Sequence, residues 1–282
     1  MMSSSETQTS ETQPTSWNGG GNVLGLLRLE FRKLLGFRSV RLGCLFAFLV
    51  PVLISFAPDD VLPFIVGANL IVSSGWQVPG FALYTAMVYL LPLLVAVTCA
   101  ELIGGEVAWG TLRPLLMRPV SRAQIILSKL FVATLYPFLL LAVSLLGGLV
   151  GGIRFGFGAF AGGTGLGPGM FQGIGTLEPV GALLELTNGY LIAGLTLAPI
   201  AGLAVAFSVR FLNTAAAALA TVATVLLMPL MMIFPFVTPF LLTTHLKAYA
   251  PGSNAANSLA LLTIYALLTW VVTLIIFERK DL

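Results

Sequence analysis

Charge is scarce in this sequence. Only 9% of its 282 residues are Asp, Glu, Lys or Arg and 57% are hydrophobic, whereas about a quarter of a soluble domain is charged. A soluble fold of this length has too little interior to hide so many apolar side chains, so that class is excluded. Histidine occurs once, at His245, which rules out a His-Glu-x-x-His zinc motif. A Gly-x-Ser-x-Gly nucleophile elbow is also missing, so a membrane-embedded enzyme is disfavoured. Cys44 and Cys99 both fall in apolar runs and read as small hydrophobes, neither a disulfide nor a metal pair. No Gly-x-x-x-x-Gly-Lys-Ser/Thr phosphate loop occurs, so if ATP drives this protein another polypeptide binds it. Ionisable residues are not expected in mid-span, where an ion relay would need them. Glu101 falls near the inner end of the second apolar run and Glu185 near the outer end of the fourth. No metal or cofactor is expected in the chain itself.

What remains is a succession of apolar runs long enough to cross a hydrocarbon core, which takes about 20 helical residues. Six spans are expected, near Leu42–Ala57, Phe81–Ile103, Ile125–Ile153, Leu184–Val209, Asn213–Thr243 and Asn257–Phe277. The shorter run Val61–Val72 carries Pro63, Gly67 and Asn69 and fits a re-entrant or interfacial piece on the outer side. Residues 1–22 are Ser, Thr, Gln, Glu and Gly with little apolar content, the composition of a disordered cytosolic tail. Over residues 23–41, Leu24, Leu27, Phe31 and Leu35 recur at helical spacing, with Arg28, Arg32, Lys33, Arg38 and Arg41 between them. That pattern predicts an amphipathic entry helix on the inner leaflet. A cleaved leader is not expected, because the first apolar run starts only at Leu42 and is followed by Pro58-Asp59-Asp60.

Orientation follows from the basic residues, which favour the cytosolic side of bacterial-type membranes. With both termini inside, only Arg154 and Lys247 of the 14 lysines and arginines fall outside. A multi-pass protein of a prokaryotic inner (plasma) membrane is therefore expected. Its basic residues serve orientation, so nucleic acid is not an expected partner. The outer loops then include the Gly-rich stretch 154–183, whose Gly162-Gly163-Thr164-Gly165 cluster has no Lys-Ser/Thr pair. It reads as a flexible connection.

Residues 104–122 stand apart as a basic, polar island between long apolar runs. Here Glu106-x-x-x-Gly110-Thr111-Leu112-Arg113-x-Leu115-Leu116-x-Arg118-Pro119-Val120-Ser121-Arg122, with Lys129 following, resembles the cytosolic segment of type 2 ABC exporter permeases. More narrowly, it is similar to the subfamily that includes the permease of nitrous-oxide-reductase maturation systems. Arg28-Leu-Glu30-Phe-Arg32-Lys33-Leu34 resembles the family's entry helix and Phe277-Glu-Arg279-Lys-Asp281-Leu282 its tail. The likeness runs from about Val23 to the end.

The resemblance implies an all-α integral membrane protein, residues 23–282, with six transmembrane helices, the entry helix and a cytosolic coupling helix. In that family the segment between the second and third spans docks in a cleft of a separate ATPase subunit, which holds ATP and Mg. Two permease subunits pair, identical or paralogous. The residue types here suit docking: Leu112, Leu115 and Leu116 for an apolar cleft, Arg113, Arg118 and Arg122 for acidic rims. Gly104-Gly105 are expected to let the chain turn out of the second span, Pro119 to end the short helix, and Ser121 to cap the third span. Glu101, Pro92 and Pro137 are the gating candidates, the prolines because each frees a carbonyl and permits a kink. Gly147-x-x-x-Gly151 and Gly148-x-x-x-Gly152 allow close approach of a neighbouring helix. The rival reading is a non-transporting membrane anchor or assembly factor for a soluble partner.

Overall fold

A computed structural model describes residues 23–58, 72–112, 114, 121–161, 171, 175–250 and 255–280. The expected tail 1–22, the run after Pro58 and the glycine cluster at 162–165 lie outside the described residues. The helices are α1 (Val23–Gly36), α2 (Arg38–Ser55), α3 (Gln77–Val88), α4 (Leu90–Ala108), α5 (Arg122–Gly152), α6 (Pro179–Phe211), α7 (Thr214–Leu227), α8 (Leu242–His245) and α9 (Ala255–Glu278). A two-residue antiparallel pair, β1 (Phe160–Ala161) with β2 (Thr176–Leu177), sits in the loop before α6. Six helices are long and apolar enough to cross a membrane: α2, α4, α5, α6, α7 with its 3-10 continuation to Ile233, and α9. The chain is an all-α, multi-pass membrane protein.

Helix α6 is the axle of the bundle. In its most apolar window 78% of residues are buried, against 17% for α7 and 11% for α9. Lipid tails supply no hydrophobic drive between helices, so close association depends on small residues. Helix α6 buries Gly189, Ala193, Gly194, Ala201, Gly202 and Ala204 along its length and receives α4, α5, α7 and α9. The outward surfaces of α7 and α9 remain for lipid or a partner.

The paired glycines of α5 each meet a different neighbour within this chain. A Cβ on Gly147 would lie 2.3 Å from the Phe48 carbonyl oxygen and one on Gly151 2.9 Å from the Ser55 hydroxyl, both on α2. On the adjacent ridge, a Cβ on Gly148 would lie 2.7 Å from Pro79 Cα, and one on Gly152 2.4 Å from the Gly75 carbonyl oxygen. Helix α5 thus seats α2 and α3 side by side.

Several boundaries differ from the expected ones. The second span is two helices, broken at Tyr89 (φ −138°, ψ −45°). A proline ring excludes a helical carbonyl four residues earlier, and Pro92 stands four residues after Val88, the last residue of α3. The entry helix stops at Gly36; Phe37 is extended (φ −67°, ψ 141°), and Arg38 and Arg41 belong to the first span. Gly104 and Gly105 are helical and buried; the chain leaves α4 at Trp109–Gly110. The fourth span begins at Pro179, so Glu185 lies inside α6, where it is exposed. The fifth gives way to 3-10 turns at Met228, where Pro229 cannot continue the helix.

Candidate coupling site

The end of α4 is shaped to release the chain. Gly110 has φ +68°, Thr111 N–H bonds the Glu106 carbonyl at 2.9 Å and Gly110 N–H the Val107 carbonyl at 3.1 Å. These two bonds with a left-handed glycine form a Schellman stop. On the far side of the island, Ser121 opens α5 with a capping box: its hydroxyl accepts the Gln124 N–H at 3.2 Å and the Gln124 side chain accepts the Ser121 N–H at 3.3 Å. Residues 109–121 are therefore a segment with a defined exit and a defined re-entry.

Beneath it lies a buried ion cluster that the sequence reading did not anticipate. Lys129, with 1% side-chain exposure, sits 2.8 Å from Glu30 Oε2 and 2.7 Å from Glu106 Oε1. It also donates to the Leu102 carbonyl at 3.2 Å. Lys33 closes the ring, 3.0 Å from Glu30 Oε1 and 3.1 Å from Glu106 Oε1. Two carboxylates and two ammonium groups thus cancel in charge across three elements, α1, the last turn of α4 and the start of α5. The cluster lies at the inner ends of the spans and on the entry helix, not in mid-span. The signal was available: Lys129 falls inside an apolar run, and an intramembrane charge requires a partner.

Burial works against the Glu30 carboxylate, but the adjacent Lys129 and Lys33 outweigh it and hold its pKa below the ordinary 4.5. Burial also opposes charge on Lys33, and Glu30 with Glu106 more than offsets it, raising its pKa above 10.5. The Glu30 contribution to docking is thus present above pH 4.5 and is lost as pH falls through its depressed value. The Lys33 contribution is complete below pH 10.5 and is lost as pH rises through its raised value. Helix α1 is expected to stay docked between these limits and to separate from α5 in acid. Spin labels at the exposed positions Arg28 and Leu127 should report one distance near neutrality and a longer one once the pH has fallen through the depressed Glu30 value; an unchanged distance throughout an acid titration contradicts the cluster as the clasp.

The remaining expected residues fall as follows. Gly110, Thr111, Ser121 and Arg122 are exposed, whereas Leu112 and Glu106 are turned inward at 4% exposure each. Arg113, Leu115, Leu116, Arg118, Pro119 and Val120 lie outside the described residues. Arg28, Arg32 and Arg38 are exposed on α1 and at the start of α2. Arg122 donates to the Lys280 carbonyl at 3.2 Å, and Lys280 Nζ in turn caps the last turn of α6 at the Val209 and Arg210 carbonyls, 2.8 and 2.7 Å away. Phe37, at the break between α1 and α2, meets the Trp109 ring edge-on at 5.8 Å.

Among the gating candidates, Glu101 accepts the Ser39 hydroxyl proton. Pro137 leaves the Ala133 carbonyl without its helical donor, and the Cys99 thiol takes that place at 3.8 Å. Pro92 sets the α3–α4 break. A further element was missed. The Ser208 hydroxyl of α6 donates to the Ala100 carbonyl at 2.6 Å and accepts the Gly104 N–H at 2.9 Å. It engages both ends of one rung of the α4 ladder, next to Gly104, where a Cβ would lie 2.6 Å from Thr214 N.

A helical bundle of six apolar spans, with a polar stretch of sequence between two of them whose exit and re-entry are both capped, defines a polytopic membrane protein. The sequence profile of the ABC-2 family transporter protein matches residues 26–212, well over half of the chain. The chain belongs to that family, the membrane-spanning permeases of ABC transporters. It is also similar to the uncharacterized protein YhcI of Bacillus subtilis (strain 168), 37% identical over 76 residues, which is 27% of this chain and 23% of that protein. The matched stretch thus spans about a quarter of that relative's length.

Proposed function

We propose that this chain is the permease subunit of an ATP-driven exporter, coupled through residues 109–121 to a separate ATPase that holds ATP and Mg. The subunit pairs with a second permease, places both termini in the cytosol of a prokaryote and lies in the inner membrane. Within the family it is proposed to be akin to the permeases of nitrous-oxide-reductase maturation systems. The observation that carries the reading is the Glu30–Lys33–Glu106–Lys129 cluster. A loop that merely satisfied the positive-inside tendency would need no buried ion ring at its base. A loop that receives a push needs its two supporting helices held together, and Glu106 and Lys129 hold them.

The test is charge reversal at two arginines of the segment. Arg113→Glu with Arg118→Glu is expected to lower co-purification of the co-expressed ATPase about tenfold or more, the effect of turning complementary rim charges into repulsive ones. Membrane insertion should be intact, with a cysteine at Met117 labelled only from the cytosolic side. ATPase association at the wild-type level would remove the docking role and favour the anchor reading.

A further inference from the structure

The opposite end of the molecule carries few cations, and they are engaged differently. Arg154 is committed: its guanidinium donates to the Ser55 carbonyl at 2.6 Å and lies over the Phe56 and Phe155 rings, 5.0 and 4.9 Å from their centroids. Lys247 is not. Its ammonium lies 5.4 Å from the Tyr84 ring centroid, and no carboxylate among the described residues pairs with it. Both Lys247 and Tyr84 line a cleft of about 380 Å³ between the α3–α4 break, α7 and the turns around α8. The break at Tyr89 borders this space, with Met87, Val88 and Tyr89 on its wall. A smaller apolar recess of about 110 Å³ extends the cleft along Pro92 and Val222.

The chemistry of the walls is divided. Met87, Val225, Leu246 and Pro229 supply apolar surface, while Lys247 brings a cation to the lining. Thr243, also on the wall, has a hydroxyl with no hydrogen-bond partner among the described residues. A cation held by an aromatic face retains its charge for a third group. The volume lies within the range that takes a drug-sized molecule and is small for a lipid with two chains. Val88, Tyr89 and Leu226 are exposed at its mouth, so entry is lateral, from the surface between α4 and α7.

We propose that this cleft binds a single-chain amphiphile bearing one anionic group, with the chain among Met87, Val225 and Leu246 and the anion at Lys247. Its role as exported cargo rests on the function proposed above; its binding rests on the cleft alone.

The experiment uses the full chain in nanodiscs of zwitterionic lipid without any ATPase, so its failure leaves the coupling reading untouched. The probes are dansylaminoundecanoate and its methyl ester, read by fluorescence. The acid is expected to bind saturably. Lys247→Gln, at an exposed position, should weaken it about tenfold or more, the worth of one charge-assisted contact, and leave the ester unchanged. Val225→Trp, which fills the cleft, should weaken both; Leu226→Trp on the exposed wall serves if that variant fails to fold. Equal binding of the acid to wild type and Lys247→Gln, or of both probes to the filled variant, overturns the proposal. So does displacement of the acid by anionic two-chain phospholipid added to the nanodisc at matched charge, which would assign the cleft to bilayer lipid.

Discussion

Replacing Lys129 with Met is expected to destabilise the protein by about 3–5 kcal/mol, the usual cost of removing one partner from a buried ion pair. The methionine fills a similar space, so packing is nearly conserved and the loss is electrostatic. Glu30 and Glu106, with 2% and 6% side-chain exposure, would be left sharing Lys33 alone, whose side chain is 41% exposed. Adding Glu30→Gln and Glu106→Gln to the same protein should recover most of the loss, because the uncompensated charges disappear while the shapes remain. The melting temperature of the purified protein in detergent reads both effects. A single variant that melts with the wild type would mean that the cluster does not clasp α1 to the bundle.

Gly147→Ala is expected to cost about 1–3 kcal/mol, the range for overpacking a filled site. The added methyl carbon would lie 2.3 Å from the Phe48 carbonyl oxygen, which is backbone and cannot rotate aside. Helix α2 must withdraw along the face that also carries Gly43 and Ala47. The same change at Gly181 in α6 meets only the Leu177 side chain at 3.4 Å, an ordinary contact. There the helix propensity of alanine should leave stability unchanged or raise it by up to about 1 kcal/mol. Opposite outcomes for one chemical change, measured by the same melting assay, test the close packing of α2 on α5. A Gly147→Ala protein as stable as wild type contradicts it.

The spans were legible because length and apolarity alone specify them. The Ser121 cap was legible for a similar reason: a local motif needs only its own residues. The break at Tyr89 was not. The run from Phe81 to Ile103 reads as continuous, and a proline in a membrane helix is often tolerated; here the clash falls four residues before Pro92. The paired glycines of α5 announced a close approach without saying to which helix, and two helices share the answer. Glu30, Glu106 and Lys129 were each visible, but 23 to 76 positions separate neighbours in the cluster along the chain, and only folding brings them together. The partner of Ser208 was hidden altogether. A serine in an apolar helix ordinarily bonds its own preceding carbonyl, and nothing in its neighbourhood indicates that it reaches for another helix.

That serine changes what it costs to bend α4. In hydrocarbon, opening a helical rung leaves an amide and a carbonyl unpaired, at several kcal/mol each, and this normally makes a transmembrane helix a stiff rod. At Ala100 and Gly104 both groups already have the same hydroxyl as partner. The turn from Gly104 to Ala108 can tilt about that oxygen as a lever tilts about its fulcrum, exchanging one set of bonds for another instead of losing them. The short arm, Gly104 to Ala108, ends in the Schellman stop. The long arm runs up toward the Tyr89 break, so a displacement entering at residue 109 has the Ser208 pivot and that break to work between.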